Sequence, residues 1–199
     1  MCVGPSGNEM VCASCLASLP IESSCERGDA RSEFDAIFAR YEYRFPVDRL
    51  VQRFKYAGDL AIGKWLSMQL ALGVRAAPLP QLLVPMPITR ARLRERGFNQ
   101  AVEIARVVSR VARVRAEPWA LERTRDAPPQ SGLGRRARRA NLRDAFACPR
   151  PLGARHVALV DDVITTGATA DAAARVLKRA GVERVDVWAI ARTPDPKDA

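Results

Sequence analysis

The sequence contains no apolar run long enough to span a bilayer, and its first residues lack the basic, apolar and small-residue succession of a secretory signal. These absences argue against membrane insertion and lead us to expect a soluble, cytoplasmic protein. No internal repeat occurs, and no low-complexity segment beyond two arginine patches. Histidine is nearly missing. His156 is the single one, so an imidazole general base would have to be this residue. It precedes an apolar strand, at the end far from the acids described below, and a structural role is the expectation.

Acidic residues are outnumbered by basic ones, 22 against 32, which leaves a formal net charge of +10. A field of that sign concentrates anions such as polyphosphates or nucleic acid. The arginines gather at Arg90 to Arg96 and at Arg135 to Arg143. Scattered charges would read as a solvated surface; clustered ones leave anion contact equally open. Four of five cysteines lie at Cys2, Cys12, Cys15 and Cys25. In a chain read as cytosolic, a metal site suits them better than a disulfide framework.

Residues 1 to about 40 carry these cysteines, are turn-rich and show no sustained periodicity, which predicts a small N-terminal appendage. From Phe45 onward Leu50, Val51, Phe54, Leu60, Ile62, Trp65, Leu66 and Leu70 recur at helical spacing, with a break at Gly58. Gln81 to Pro85 suits a buried strand. Asn99 can cap a helix running to about Val114. Thr124 to Asn141 is rich in Pro, Gly and Arg and reads as a mobile loop with a short helix after Gln130. His156 to Val160 is a predicted strand, Ala168 to Arg179 a helix stopped at Gly181, and Arg184 to Ala191 a second strand. Strand, helix, strand at this spacing implies a parallel sheet in an α/β fold. The tail from Pro194 to Ala199 is expected to fray.

The segment Val157 to Thr169 reads VALVDDVITTGAT. Open α/β sheets bind ligands at the carboxyl ends of their strands, where this one delivers Asp161 and Asp162. Adjacent carboxylates can accept hydrogen bonds from a ribose diol and help hold a hydrated Mg²⁺. Their side chains diverge, so one can face sugar while the other meets metal or backbone. Thr165, Thr166, Gly167, Ala168 and Thr169 then form a turn into a helix, whose amides and dipole can cradle a phosphate. Acid pairs also occur in phosphoryl-accepting receiver domains and as plain helix caps. The whole thirteen-residue run, however, resembles the phosphoribosyl-pyrophosphate (PRPP) signature of type I phosphoribosyltransferases.

Further segments narrow that resemblance to the ComF-type competence family: FKYAGD at 54–59, VPMPITRARLRERGFNQ at 84–100 and PPQSGLGRRARRANLRDAF at 129–146. The resemblance implies a type I phosphoribosyltransferase-like parallel sheet flanked by helices over residues 41–199, and a cysteine-rich module over residues 1–40. It makes Pro87 to Arg92 the loop that cradles pyrophosphate, with Arg92 and Arg96 supplying charge. Thr124 to Arg143 becomes the flexible catalytic loop, with Gln130, Arg138 and Asn141 at its matching positions. Lys55 and Tyr56 also match, although a solvated lysine beside a core aromatic explains them equally well. Members of the family carry two Cys-x-x-Cys pairs that hold Zn²⁺. Here only Cys12 and Cys15 form such a pair, Cys2 stands where the second member of the other pair would be, and Cys25 could supply a fourth thiolate. Zinc and a degenerate, metal-free module both stay open. Cys148 lies outside this group and reads as packed.

Two functions share this one pocket. The resemblance implies a PRPP-binding protein serving DNA uptake or utilisation, in contact with single-stranded DNA and with a DNA-uptake helicase as partner. Phe54, Tyr56, Phe98, Trp119 and Phe146 offer stacking surfaces for such a strand, although core packing accounts for most of them. The alternative is an active Mg²⁺-dependent phosphoribosyltransferase that joins ribose 5-phosphate to a nitrogen nucleophile and releases pyrophosphate. Asp161, Asp162 and Arg138 would be its catalytic residues, and catalysis would lie in positioning and in stabilising the leaving group. No acceptor-reading segment is evident in the sequence.

Overall fold

The computed structural model describes residues 11–22, 25–30, 32–76, 78–124 and 145–194. Its elements run α1 (Ala13–Ala17), β1 (Cys25–Arg27), β2 (Ala36–Glu42), α2 (Val47–Tyr56), α3 (Leu60–Gly73), β3 (Leu82–Pro85), α4 (Arg90–Arg96) and α5 (Gln100–Ala112). They continue with β4 (Arg115–Ala116), β5 (Glu122–Arg123), β6 (Phe146–Ala147), β7 (His156–Ile164), α6 (Ala168–Arg179) and β8 (Arg184–Arg192). Six strands form one sheet in the order β1-β2-β8-β7-β3-β4. Every neighbouring pair is parallel except β1 and β2. Strands β5 and β6 make a separate antiparallel pair. The fold is therefore mixed α/β, with a mostly parallel sheet flanked by helices, as the sequence leads one to expect. Among the described residues no helix is long and apolar enough to cross a membrane.

Strands β7 and β8 are covered on both faces, so both read as near-continuous apolar runs. On one face Val157, Leu159, Val185 and Val187 pack against Ala173, Ala174 and Leu177 of α6. On the other, Ala158, Val160, Trp188 and Ile190 meet Phe54 of α2, Leu66 and Leu70 of α3, and Ile104 and Val108 of α5. Helix α5 starts where the Asn99 side chain accepts from the Ala101 amide at 2.9 Å. It stops at Ala112, slightly short of Val114, because Arg113 turns left-handed with φ 57°. Gly181 follows α6 with φ 95°.

Three differences from expectation bear on the site. Strand β2 straddles the 40/41 position at which the sequence divides most naturally, and Ala36, Ile37, Phe38 and Ala39 are buried beside β8. Residues 36–40 thus belong to the sheet, and Val11 and Leu19 are buried too. Second, the expected pyrophosphate loop from Pro87 to Arg92 is cut short. The Thr89 side chain accepts from the Arg92 amide and caps α4, so Arg92 sits in a helix. Long unbranched side chains in RARLRER favour that outcome. Third, the expected catalytic loop, with Gln130, Arg138 and Asn141, lies outside the described residues apart from its first residue, and Cys2 lies outside them as well.

Candidate functional site

Strand β7 outlasts its neighbour β3. The two pair from Leu82↔Val157 to Pro85↔Val160, and the Met86 amide closes on the Val160 carbonyl at 2.8 Å. Beyond that point β7 continues alongside β8 alone, from Asp161↔Ala189 to Ile164↔Arg192. The acids are therefore not past the end of the strand but within its last turn of pairing, on the stretch that β3 no longer flanks. A parallel-sheet crevice opens where strand ends are uneven in this way.

The two carboxylates divide sharply. Asp162 faces the α2 side and is buried, 7% exposed. Its Oδ1 lies 3.0 Å from Lys55 Nζ and also accepts from the Val163 amide at 2.7 Å. Asp161 accepts from the Asp162 amide at 2.8 Å and is half-buried, lining a shallow hollow with Thr165, Thr166, Gly167 and Thr169. Burial, and then the charge of Asp162 beside it, push the Asp161 carboxyl up to about 7. Lys55 pulls the other way but is too weak to cancel them. Two acids thus share one lysine, and the one that faces the hollow is the one pushed towards its neutral form.

The far wall of the hollow is the start of α6. Gly167 is its N-cap, with φ 72°, a conformation that any side chain would strain. A Cβ there would also stand 3.4 Å from the ring of Phe34. The N-cap glycine brings no side chain to this helix end, and the positive end of the dipole is presented to the hollow. Thr165 and Thr166 are exposed and Thr169 is half-buried. The expected group Asp161, Thr165, Thr166, Gly167, Ala168 and Thr169 therefore comes together around one concavity. Its rim is braced from outside by the segment 33–35. Asp171 Oδ1 accepts from the Glu33 amide at 2.9 Å, and Arg175 and Lys178 pair with Glu33 and Asp35 at 3.0 Å.

The arginines are placed less directly. Arg92 is exposed on α4. Arg96 donates to Gln100 Oε1 at 3.1 Å and lies over the Tyr56 ring, 5.2 Å from its centroid. Gln100, 2% exposed, also reaches the Lys55 carbonyl at 3.5 Å. A chain of contacts thus links Arg96 to the turn that carries Lys55. Of the two readings the sequence leaves open for this pair, the solvated lysine beside a core aromatic is not the one found: Lys55 points inward and Tyr56 outward. The buried stripe of α2 is Val47, Leu50, Val51 and Phe54. Lys55 stands four residues after Val51 on that same side, while Tyr56 rotates away and is 72% exposed. Of the other aromatics, Phe54 and Phe146 are core, Phe98 is half-buried and Trp119 is exposed.

His156 sits at the opposite end of β7, as expected, with Nε2 2.8 Å from Asp186 Oδ2. Cys12 and Cys15 lie at the start of α1, and Cys25 is exposed on β1. Among the described residues no three His, Cys, Asp or Glu side chains group as a metal site.

No family model matches the chain. Competence protein F of Haemophilus influenzae is 36% identical over 159 residues, 75% of this chain and 69% of that protein. DNA utilization protein YhgH of Escherichia coli K12 is 35% identical over 158 residues, 76% of this chain and 70% of its own length. The Salmonella typhi protein of the same name is 30% identical over equal shares. Among solved structures, a B. subtilis glutamine PRPP amidotransferase complexed with ADP and GMP matches 70% of this chain and 30% of its own, at 18% identity and a TM-score of 0.45. On the strength of these identities and of the length they cover, the chain belongs to the family of competence protein F and DNA utilization protein YhgH.

Proposed function

We propose that the carboxyl end of β7 is a ribose-phosphate site that takes PRPP with Mg²⁺, in a protein that serves DNA uptake or utilisation. One observation carries the reading: Asp161 and the glycine-capped N terminus of α6 line one hollow. An acceptor of ribose hydroxyls and a donor set for phosphate stand on opposite walls of one hollow. Asp162 is already matched by Lys55 and the Val163 amide. Asp161 is thus the carboxylate available to sugar hydroxyls or, through water, to Mg²⁺, which prefers oxygen ligands and keeps much of its hydration. The ion would neutralise pyrophosphate charge. Arg92 and Arg96 stand on the neighbouring helix to meet the same anion. The test is calorimetry of PRPP with Mg²⁺: wild type should bind, and Asp161→Ala should lose at least about tenfold in affinity. Equal binding by both proteins would reject the site.

The link to DNA rests on the names of the relatives, on the net charge of +10 and on the exposed arginines of α4. Affinity for single-stranded DNA should then fall steeply with salt, as each neutralised phosphate releases counterions. A flat salt response would oppose strand contact.

A second reading, active phosphoribosyl transfer, is favoured by the near-neutral Asp161 carboxyl, which can take up or release a proton near physiological pH. Arg138 would join it from beyond the described residues. Pyrophosphate release from PRPP in the presence of amines and nucleobases, abolished in Asp162→Asn, would establish turnover. Binding without release would leave the ligand a regulator.

A further inference from the structure

We propose that the outer face of α3, together with the groove between α3 and α5, is a docking surface for an acidic amphipathic helix of a partner protein. The inference is independent of the ribose-phosphate reading, because none of its residues lines the hollow at the end of β7.

Helix α3 has a sequence that does not suit its position. It reads LAIGKWLSMQLALG, with Lys64 as its single charge. A helix apolar all round is normally enclosed on every side. Here Ile62, Leu66 and Leu70 are buried in the core that covers the sheet. Ala61, Lys64, Trp65, Met68 and Leu72 recur at i, i+3, i+4, i+7 and i+11 and share the opposite face. Leu72 is 46% exposed, Ala61 and Lys64 are exposed, and Trp65 and Met68 are half-buried. The helices packed beside it carry charge on their outer faces instead. Arg49 and Arg53 are exposed on α2, Arg106 and Arg110 on α5.

The groove supplies the second observation. A cavity of about 290 Å³ lies between α3 and α5, over the buried ring of Phe54, and is lined by Leu60 and Val107. Leu60 is 55% exposed. Lys64 belongs to both the apolar face and the groove rim, which Arg106 and Arg110 complete. Glu103, the acid on that rim, is taken by Arg106 at 2.6 Å. Among the described residues neither Lys64 nor Arg110 has an acidic partner.

An apolar strip bordered by unmatched cations selects its occupant. An amphipathic helix can lay leucine-type side chains over Trp65, Met68 and Leu72 and set flanking carboxylates against Lys64 and Arg110. Tryptophan and methionine suit such a surface, one as a rigid anchor and the other as an adaptable filler. A second copy of this chain fits worse. An isologous contact would set the same cations against themselves, on two chains of net charge +10. A nucleic-acid strand wants open ring faces beside its phosphate contacts, whereas Phe54 under the groove is fully buried and Leu60 and Leu72 are aliphatic.

Fluorescence anisotropy tests this with a labelled synthetic peptide of about 18 residues, long enough to hold a helix. It carries leucines at helical spacing and glutamates along their flank. Two controls replace the leucines by serine or the glutamates by lysine. We expect wild type to bind the acidic amphipathic peptide at least about tenfold more tightly than either control. Leu72→Asp and Lys64→Glu should each lose at least about fivefold. Arg179→Glu, at an exposed cation of α6 across the sheet, should keep full affinity. Because Leu72 and Lys64 are exposed, each variant should melt with wild type and give the same PRPP isotherm, which separates this surface from the sugar-phosphate site. Equal binding of the acidic and basic peptides, or equal binding by wild type and Leu72→Asp, overturns the inference. A single-stranded DNA oligonucleotide that displaces the peptide and itself loses affinity in Leu72→Asp overturns it in favour of a strand. A wild-type dimer in sedimentation that Leu72→Asp dissolves overturns it in favour of a second copy.

Discussion

The two ends of the β7–β8 pair each bury a carboxylate, and they treat it in opposite ways. At the amino end Asp186, 3% exposed, takes Nε2 of His156 at 2.8 Å and a two-pronged grip from Arg184 at 2.9 and 3.1 Å. Gln81 Oε1 secures the adjacent amides of Arg155 and His156. Donors there outnumber the acid. At the carboxyl end two acids share Lys55, and one is pushed towards neutrality for want of a second cation. A carboxylate fully matched by its own fold is holding strands together. One crowded by a second acid and pushed towards neutrality, beside a helix that starts on glycine, has the perturbed character that goes with ligand sites.

That contrast can be broken by substitution. The largest stability effect belongs to the amino end. Asp186→Ala strands Arg184 and His156 and should cost about 3 kcal/mol in urea unfolding, yet leave PRPP affinity intact. A loss of affinity equal to that of Asp161→Ala would erase the distinction. At the other end Asp162→Ala leaves Lys55 half-buried without its partner and should cost a further destabilisation, on the order of 2 kcal/mol.

Asp161→Asn should behave differently. Its folded carboxyl is raised to about 7 from an ordinary 3.8. The folded chain therefore holds more protons than the unfolded one across that interval, and stability falls as pH rises through it. Removing the charge should flatten this slope and raise the urea midpoint at pH 8, while weakening PRPP binding. A variant less stable than wild type at pH 8 would show that the charge is satisfied after all. Gly167→Ala should lose about 1 kcal/mol from the positive φ and weaken phosphate binding. Arg92→Ala, at an exposed position, should shift stability by less than about 0.5 kcal/mol and act only on affinity for the anion.

How far the sequence carried each region has physical causes. The α6 segment was legible almost to the residue, because its apolar stripe, a preceding threonine-glycine turn and Gly181 all point to the same boundaries. The turn that leads into it followed. Strand β2 was not legible. Ala36 to Glu42 is short, interrupted by Arg40 and embedded in a turn-rich cysteine segment, and only the parallel partner β8 makes it a strand. Helix α4 was hidden for another reason: its arginines were read for their charge, when Thr89 as a cap was the better signal. The inward Lys55 was recoverable by counting four residues on from Val51. That Asp162 would meet it depends on a contact between residues 107 positions apart, which no local pattern encodes.

Hydrogen exchange with and without Mg²⁺·PRPP puts the contrast between the two ends to its most direct test. Ligand should slow exchange across residues 161–170, where Asp161 and the first amides of α6 lie, and leave the amides of His156 and Asp186 unchanged. Protection confined to the His156–Asp186 end, or none along 161–170 at saturating ligand, would contradict it.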